Sequence, residues 1–310
     1  MVSRERMDLE LPHLHRAQPP RGATWWASWP TFWPTSWSAS WSASWWASWY
    51  ATFLLLVAFS TRAVAQPASV ERARLLVQAD SAFAHGSATG ALEPVRPWLD
   101  SARADAAILW RGARAYVAFG ILAPTRAESD VQLLRAAAYA QRAMQSAPRD
   151  IDARYWYAVA TGRRALRGDF RRILPLAVET YNEAQRILAQ DSLHAGAHDI
   201  IGKLYSEVRK LPWLVRKLAA TVTRQDVLRL ASWEAAEFHL RRAMALEPSA
   251  IVYRADLAQL YVRMGRHADA AAVVATMESM PDRTPADRLF KQEARRLVIS
   301  ADHRSPTASR

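Results

Sequence analysis

His194 and His198 stand four residues apart, flanked by Asp191 and Asp199. On a helix that spacing puts two imidazoles on one face, where they can chelate zinc. No glutamate follows His194, so the H-E-x-x-H pattern of a hydrolytic zinc site is missing. The two histidines are therefore read as packed or capping residues, and no metal and no cofactor is assigned. The chain has no cysteine, which excludes a thiol nucleophile, a disulfide, Cys-ligated zinc and a lipid anchor on Cys. It also lacks G-x-S-x-G, a P-loop and G-x-G-x-x-G. No pair of carboxylates sits in an apolar context that would signal general acid–base work.

Charge is the next signal. The 310 residues carry a formal net charge of +12, and lysine occurs only at Lys203, Lys210, Lys217 and Lys291. Such a balance suits an acidic protein partner or an anionic lipid or membrane surface, or simply a solvated basic exterior. The run GRRALRGDFRR at 162–172 concentrates arginine at one turn. No aromatic residues alternate with these arginines as stacking platforms, so nucleic acid is not an expected partner. The stretch KLPWLVRKLAATV at 210–222 is amphipathic, with Leu211, Leu214 and Leu218 on one face. It either lies on a membrane or, the preferred reading, packs on the helical domain.

The first 65 residues read as a leader. Trp25, Trp29, Trp33, Trp37, Trp41, Trp45 and Trp49 recur at every fourth position. A step of four advances ~400° on a helix, so these rings drift and make no single face. The apolar run Tyr50–Phe59 is followed by Ala63-Val64-Ala65, which is the pattern that signal peptidase reads. Cleavage after Ala65 and export to the periplasm or outside the cell are expected. A membrane anchor through residues 23–60 is the alternative, although the run alone is shorter than the ~20 apolar residues of a span. The nearest upstream charge, Arg21, lies farther from the apolar run than in an ordinary signal peptide.

From residue 69 the pattern has helical period, and Ala, Leu and Arg favour helix throughout. Helices are predicted at 69–86, 90–101, 104–120, 128–147, 151–167, 170–190, 193–209, 211–221, 226–246, 249–264, 267–279 and 284–300. Gly86, Gly120, Gly168 and Gly265 fall at expected helix ends. Asp150, Ser192, Ser249 and Thr284 are expected N-caps. Residues 301–310 read as a disordered tail.

The helices repeat in pairs. Ala136, Ala140, Ala143 and Pro148 have the same spacing as Ala236, Leu240, Ala243 and Pro248. Leu257, Ala258, Tyr261 and Gly265, then Ile201, Gly202 and Tyr205, then Gly112, Ala113, Tyr116 and Gly120 repeat an apolar–small–aromatic set. Small residues at these positions let paired helices approach closely. The pattern resembles the tetratricopeptide repeat (TPR). It implies an all-α, right-handed superhelix of about five helix pairs over 69–300, with one inserted helix and a C-terminal capping helix.

A narrower resemblance runs through ILWRGARAYVAFG (108–120), DARYWYAVATGRR (152–164) and AHDIIGKLYSEVRKLPWLVRKLAATV (197–222). Trp110-Arg111, Trp156-Tyr157, Gly202 and the stretch from Trp213 to Ala220 are similar to the regulator of microtubule dynamics family. That resemblance implies partner binding without catalysis. Some eukaryotic members are membrane-anchored and bind microtubules or lipid; an exported chain has no use for microtubules. In a TPR stack the first helices line the concave face, so Trp110, Arg114, Tyr157, Thr161, Arg164, Asp199, Lys203, Gln259 and Arg263 are the expected partner groove. Arg114, Arg164, Lys203 and Arg263 would make it basic, suited to an acidic peptide or protein. A lipid or other amphipathic anionic ligand inside the superhelix, or a membrane-anchored adaptor, is the competing expectation.

Overall fold

Small residues set the architecture. A Cβ on Gly202 would lie 2.7 Å from Leu240 Cγ and 3.0 Å from the Ala236 carbonyl oxygen, so two helices touch there almost backbone to backbone. The computed structural model describes residues 69–102, 104–166, 170–212 and 226–302, without the side chains of 170–172 and 226. The chain divides into two units at Ser60/Thr61, and every described residue belongs to the second. The leader, Gly168, the stretch from Trp213 to Val222 and the tail beyond 302 lie outside the described residues.

The elements are α1 (69–84), α2 (Ala88–Leu92), a 3-10 turn (Arg96–Trp98), α3 (Ala106–Leu122), α4 (Arg126–Ser146), α5 (Ile151–Ala165) and α6 (Phe170–Gln190). They continue with α7 (Ala195–Lys210), α8 (Asp226–Leu230), α9 (Trp233–Leu246), α10 (Ile251–Arg263), α11 (His267–Glu278) and α12 (Asp287–Asp302). No strand occurs among the described residues. Successive helices pair as hairpins, α3 with α4, α5 with α6, α7 with α9 and α10 with α11, and α12 packs on α10 and α11. The hairpins stack into a superhelix.

Local chemistry explains most boundaries. Asp105, Thr125, Asp150 and Ser232 cap α3, α4, α5 and α9, each side chain accepting a backbone N–H of the first turn. Gly86 and Gly265 take φ of +80° and +75°, the left-handed geometry that ends α1 and α10. Other expectations shift. The helix expected at 90–101 is a short helix and a 3-10 turn, because Pro94 and Pro97 lack the N–H that a continuous helix needs. The helix expected at 226–246 breaks at Ser232, whose hydroxyl accepts from Ala235 N at 2.9 Å. His194, through Nδ1, caps α7 in place of Ser192, and Ala250 precedes α10 in place of Ser249. Thr284 lies before α12 and donates to Asp287 Oδ1 at 2.6 Å, while Asp287 also accepts the Arg283 and Thr284 amides. Gly120 sits inside α3, where a Cβ would meet Leu133 at 2.7 Å, so it serves packing and not termination.

The repeat positions behave alike. Ala136, Ala140 and Ala143 on α4 and Ala236, Leu240 and Ala243 on α9 are all fully buried. Above them runs a core through Ile187, Ile201, Leu204, Leu257 and Leu260. The superhelix also curls on itself. Ile121 at the end of α3 packs against the cluster that contains Ala286 and Phe290, and Gly86 approaches the Thr284 carbonyl. The C-terminal helix therefore lies against the concave side as well as on the last hairpin.

Replacing Gly202 by Val is expected to destabilise the fold by about 2 kcal/mol, because Leu240 is fully buried and cannot swing aside. A urea unfolding midpoint equal to wild type would show that the α7–α9 approach does not limit stability.

Candidate partner-binding groove

The concave face holds a cavity of about 550 Å3. Phe83 from α1, Trp110 from α3, Tyr155 and Trp156 from α5 and Phe290 from α12 line it with aromatic surface. Val117, Ile121 and Val159 add apolar wall, and Arg114, Asp152, Arg163 and Glu247 supply charge. Past Arg163 and Phe290 the groove continues as a second hollow of about 470 Å3, lined by Lys203, Glu207, Gln259, Arg263 and Glu293. Arg163 and Phe290 belong to both.

Each wall has a local reason. Tyr155 sits close over the first turn of α7 because residue 196 is glycine; a Cβ there would collide with the ring. Phe83 meets Trp156 edge-on at 6.2 Å. Asp80 on α1 receives two hydrogen bonds from Arg111, at 2.7 and 2.9 Å, and one from Arg114 at 2.7 Å. The Arg114 guanidinium lies 4.3 Å from the Phe83 ring centre and 5.3 Å from that of Trp110. Burial alone would raise the Asp80 carboxyl, but the two arginines outweigh it and hold Asp80 below its ordinary range. Burial lowers Arg114. Arg114 is thus built into the wall by α1.

Other groups in the face are shifted by their surroundings. Burial, then the nearby Asp150, raises Asp152. Burial pushes the Tyr155 and Tyr253 hydroxyls well up, and Tyr253 donates to Glu247 at 3.2 Å. Burial, then the Asp256 charge, raises Asp199 well above the carboxylate range.

The residues expected in the groove divide into three groups. Trp110 and Arg114 line the large cavity, and Lys203, Gln259 and Arg263 line the second hollow. Asp199 lies below both, in a smaller recess with Lys203. Tyr157, Thr161 and Arg164 do not line either hollow. Tyr157 donates to Glu179 on α6, and burial followed by Glu179 raises it to about 12. Thr161 is buried in the body of the repeat. The groove side of α5 is Asp152, Tyr155, Trp156, Val159 and Arg163, one residue out of register with the expected set. Tyr155, Tyr253, Asp256 and Phe290 were not singled out in the sequence. The i, i+3, i+7, i+11 series from Asp152 would have found Asp152, Tyr155, Val159 and Arg163.

Three of the four cations expected to make the groove basic meet acids. Arg114 pairs with Asp80, Lys203 with Asp256, and Arg263 with Glu207 at 2.6 Å and Ser206 at 2.6 Å. Arg163 has no ion pair among the described residues, and its guanidinium lies 5.4 Å from the Phe290 ring centre.

His194 and His198 turn apart. His194 Nδ1 accepts from Ala197 N at 3.1 Å, and its ring lies 5.0 Å from Tyr155. His198 Nε2 meets the Ser192 carbonyl at 3.1 Å, and its Nδ1 meets His239 Nδ1 at 2.9 Å. Among the described residues no group of three or more potential ligands converges on a metal position.

Comparison with known proteins follows the same lines. Residues 75–301 match the family model described as regulator of microtubule dynamics protein 1-3. Regulator of microtubule dynamics protein 3 of Bos taurus is 24% identical over 192 residues, which are 62% of this chain and 40% of that protein. The chain thus spans well under half the length of that relative. A thermophilic TPR protein of Thermus thermophilus superposes with a TM-score of 0.51 at 19% identity, over 74% of this chain and 99% of that one. The fold is an all-α, TPR-like superhelix.

The His198–His239 contact makes stability depend on pH. Burial, then His198, lowers His239 from 6.5 to about 4. Its contribution is full above the unfolded value near 6.5 and is lost as pH falls toward 4, because only the unfolded state binds the proton there. Wild type should lose more stability than His239→Gln between pH 6.5 and pH 4. Parallel losses in the two proteins would remove the histidine pair from the account.

Proposed function

The chain belongs to the regulator of microtubule dynamics family, whose model covers residues 75–301, and from that premise we propose a non-enzymatic scaffold that holds an acidic peptide segment of a partner protein. A TPR-like fold serves protein interaction in general, and the concave groove is where a segment would bind. The observation that carries the reading is Arg163. It stands where the two hollows meet, over Phe290, without a carboxylate partner among the described residues. An acidic side chain of the partner supplies the missing anion, and an apolar neighbour occupies the aromatic cavity beside Trp110 and Trp156. Arg114, expected to share this task, is held by Asp80 and shapes the wall.

An amphipathic anionic lipid is the second reading, supported by the apolar wall of Phe83, Val117, Ile121 and Val159 around a 550 Å3 space. Extraction of the purified protein separates the two: lipid recovered in stoichiometric amount favours the carrier, and a lipid-free protein that captures an acidic peptide favours the scaffold. Export of the chain belongs to the same proposal, on the strength of Tyr50–Phe59 followed by Ala63-Val64-Ala65. N-terminal sequencing of the exported protein should start at Gln66, and an intact leader in the membrane fraction would favour an anchor instead.

Arg163→Glu should weaken binding of an acidic peptide at least ~10-fold with unchanged helicity, the size expected for losing a charge-assisted contact and adding repulsion. Arg164→Glu should leave it intact. Equal binding by wild type and Arg163→Glu, measured by fluorescence anisotropy, would remove Arg163 from the interface.

A further inference from the structure

Beneath the groove, between α5, α7 and α10, lies a recess of about 80 Å3. Asp199 of α7 and Asp256 of α10 both line it, and each is only 8% exposed. Asp256 Oδ1 accepts from Lys203 Nζ. Asp256 Oδ2 and Asp199 Oδ1 are buried and accept no hydrogen bond among the described residues. A buried carboxylate oxygen without a donor is costly, and native interiors seldom keep two in one place. Ala158, Val159, Ile200 and Val252 make the rest of the wall largely apolar.

A small group that donates hydrogen bonds would satisfy both oxygens, and a cationic one would also balance Asp199 once it is ionised. The recess is small, with room for a head group of a few heavy atoms. With both carboxylates ionised, Asp199, Asp256 and Lys203 sum to one negative charge, which a single cation completes. Arg163 also lines the recess, yet it forms no ion pair with either carboxylate among the described residues and lies over Phe290. A guanidinium is broader and planar, whereas an ammonium offers three tetrahedral donors to converging oxygens.

We infer that this recess is a subsite for a primary ammonium group, carried by a lysine side chain or by the amino terminus of the bound segment. The inference rests on the concave groove being the binding face, but it does not depend on an acidic residue meeting Arg163. Binding is coupled to proton release. Burial and then Asp256 raise Asp199, so an incoming ammonium displaces the carboxyl proton to solvent and leaves an ion pair. The groups that act on it are Tyr155 and Arg163 from α5, Lys203 from its own helix, and Tyr253 and Asp256 from α10.

The test is calorimetric titration of the full chain with n-butylammonium, which mimics a lysine end, and with glycinamide, which mimics an amino terminus. Saturable binding is expected for at least one, with up to one proton released per site, read from buffers of different ionisation enthalpy. The tighter probe identifies the source. Butyltrimethylammonium, which has no N–H, should not compete. Asp199→Asn keeps the volume but loses the charge, and should weaken binding at least ~10-fold, as for loss of a charge-assisted contact. If that variant does not fold, the N–H-free probe still decides: equal binding by the quaternary ion overturns the proposal. So does the absence of saturable binding by both amines, which would mean that water alone fills the recess. Acidic-peptide binding by Arg163→Glu and amine binding by Asp199→Asn are read with different probes, so the two proposals fail separately.

Discussion

Close approach of paired helices is the constraint on which this structure depends. At Gly202 and Gly120 the helix surface is bare, and a neighbouring leucine fills the space that a side chain would need. Ala236, Leu240 and Ala243 present the matching surface from α9, and Ala136, Ala140 and Ala143 do the same from α4. Bringing two helices this near sets the angle at which each hairpin meets the next. The curvature follows from that repeated angle. The concave face is thus a consequence of small residues where paired helices meet.

Curvature in turn decides what the groove contains. Because the stack curls until Ile121 meets the cluster around Phe290, the C-terminal helix forms one wall of the concave space. An open trough would leave arginines facing water. Here α1 brings Asp80 to Arg114 and Phe83 to the wall, α12 brings Phe290, and Asp256 of α10 and Glu207 of α7 pair with Lys203 and Arg263. Partly buried pairs of this kind fix geometry more than they add stability, since desolvation offsets much of their attraction.

The fold was legible in the sequence for the same reason that it is stable. Small residues at four- and three-residue spacing mark the helix face that a second helix must approach, and the positions picked out on α4 and α9 are all fully buried. Boundaries were legible where chemistry acts locally, as at Asp150, Gly86 and Gly265. They were missed where two local signals compete, as at Ser232, whose cap interrupts an otherwise continuous helical pattern. The groove was legible only in part. Trp110 and Arg114 follow from the resemblance, but on α5 the groove side carries Arg163 and not Arg164, a register that only the series from Asp152 marks in the sequence. Partners such as Asp80 for Arg114 and Asp256 for Lys203 come from other helices, so their pairing depends on the assembled superhelix.

Net charge therefore says little about recognition in this molecule. A formal charge of +12 describes the whole chain, whereas the concave lining mixes Arg114, Arg163, Lys203 and Arg263 with Asp152, Glu207, Glu247 and Asp256. Long-range attraction from the surface speeds encounter with anions and is screened by salt. On the proposed reading selection happens in the groove, where a group is accepted only if it satisfies what the fold leaves unsatisfied. Arg163 has no ion pair among the described residues, and one oxygen each of Asp199 and Asp256 has no donor there. These groups lie at one junction of α5, α7 and α10, with the aromatic cavity beside them. A segment that carries opposite charges and an apolar side chain in the right order meets all three demands together, while a merely acidic chain meets one.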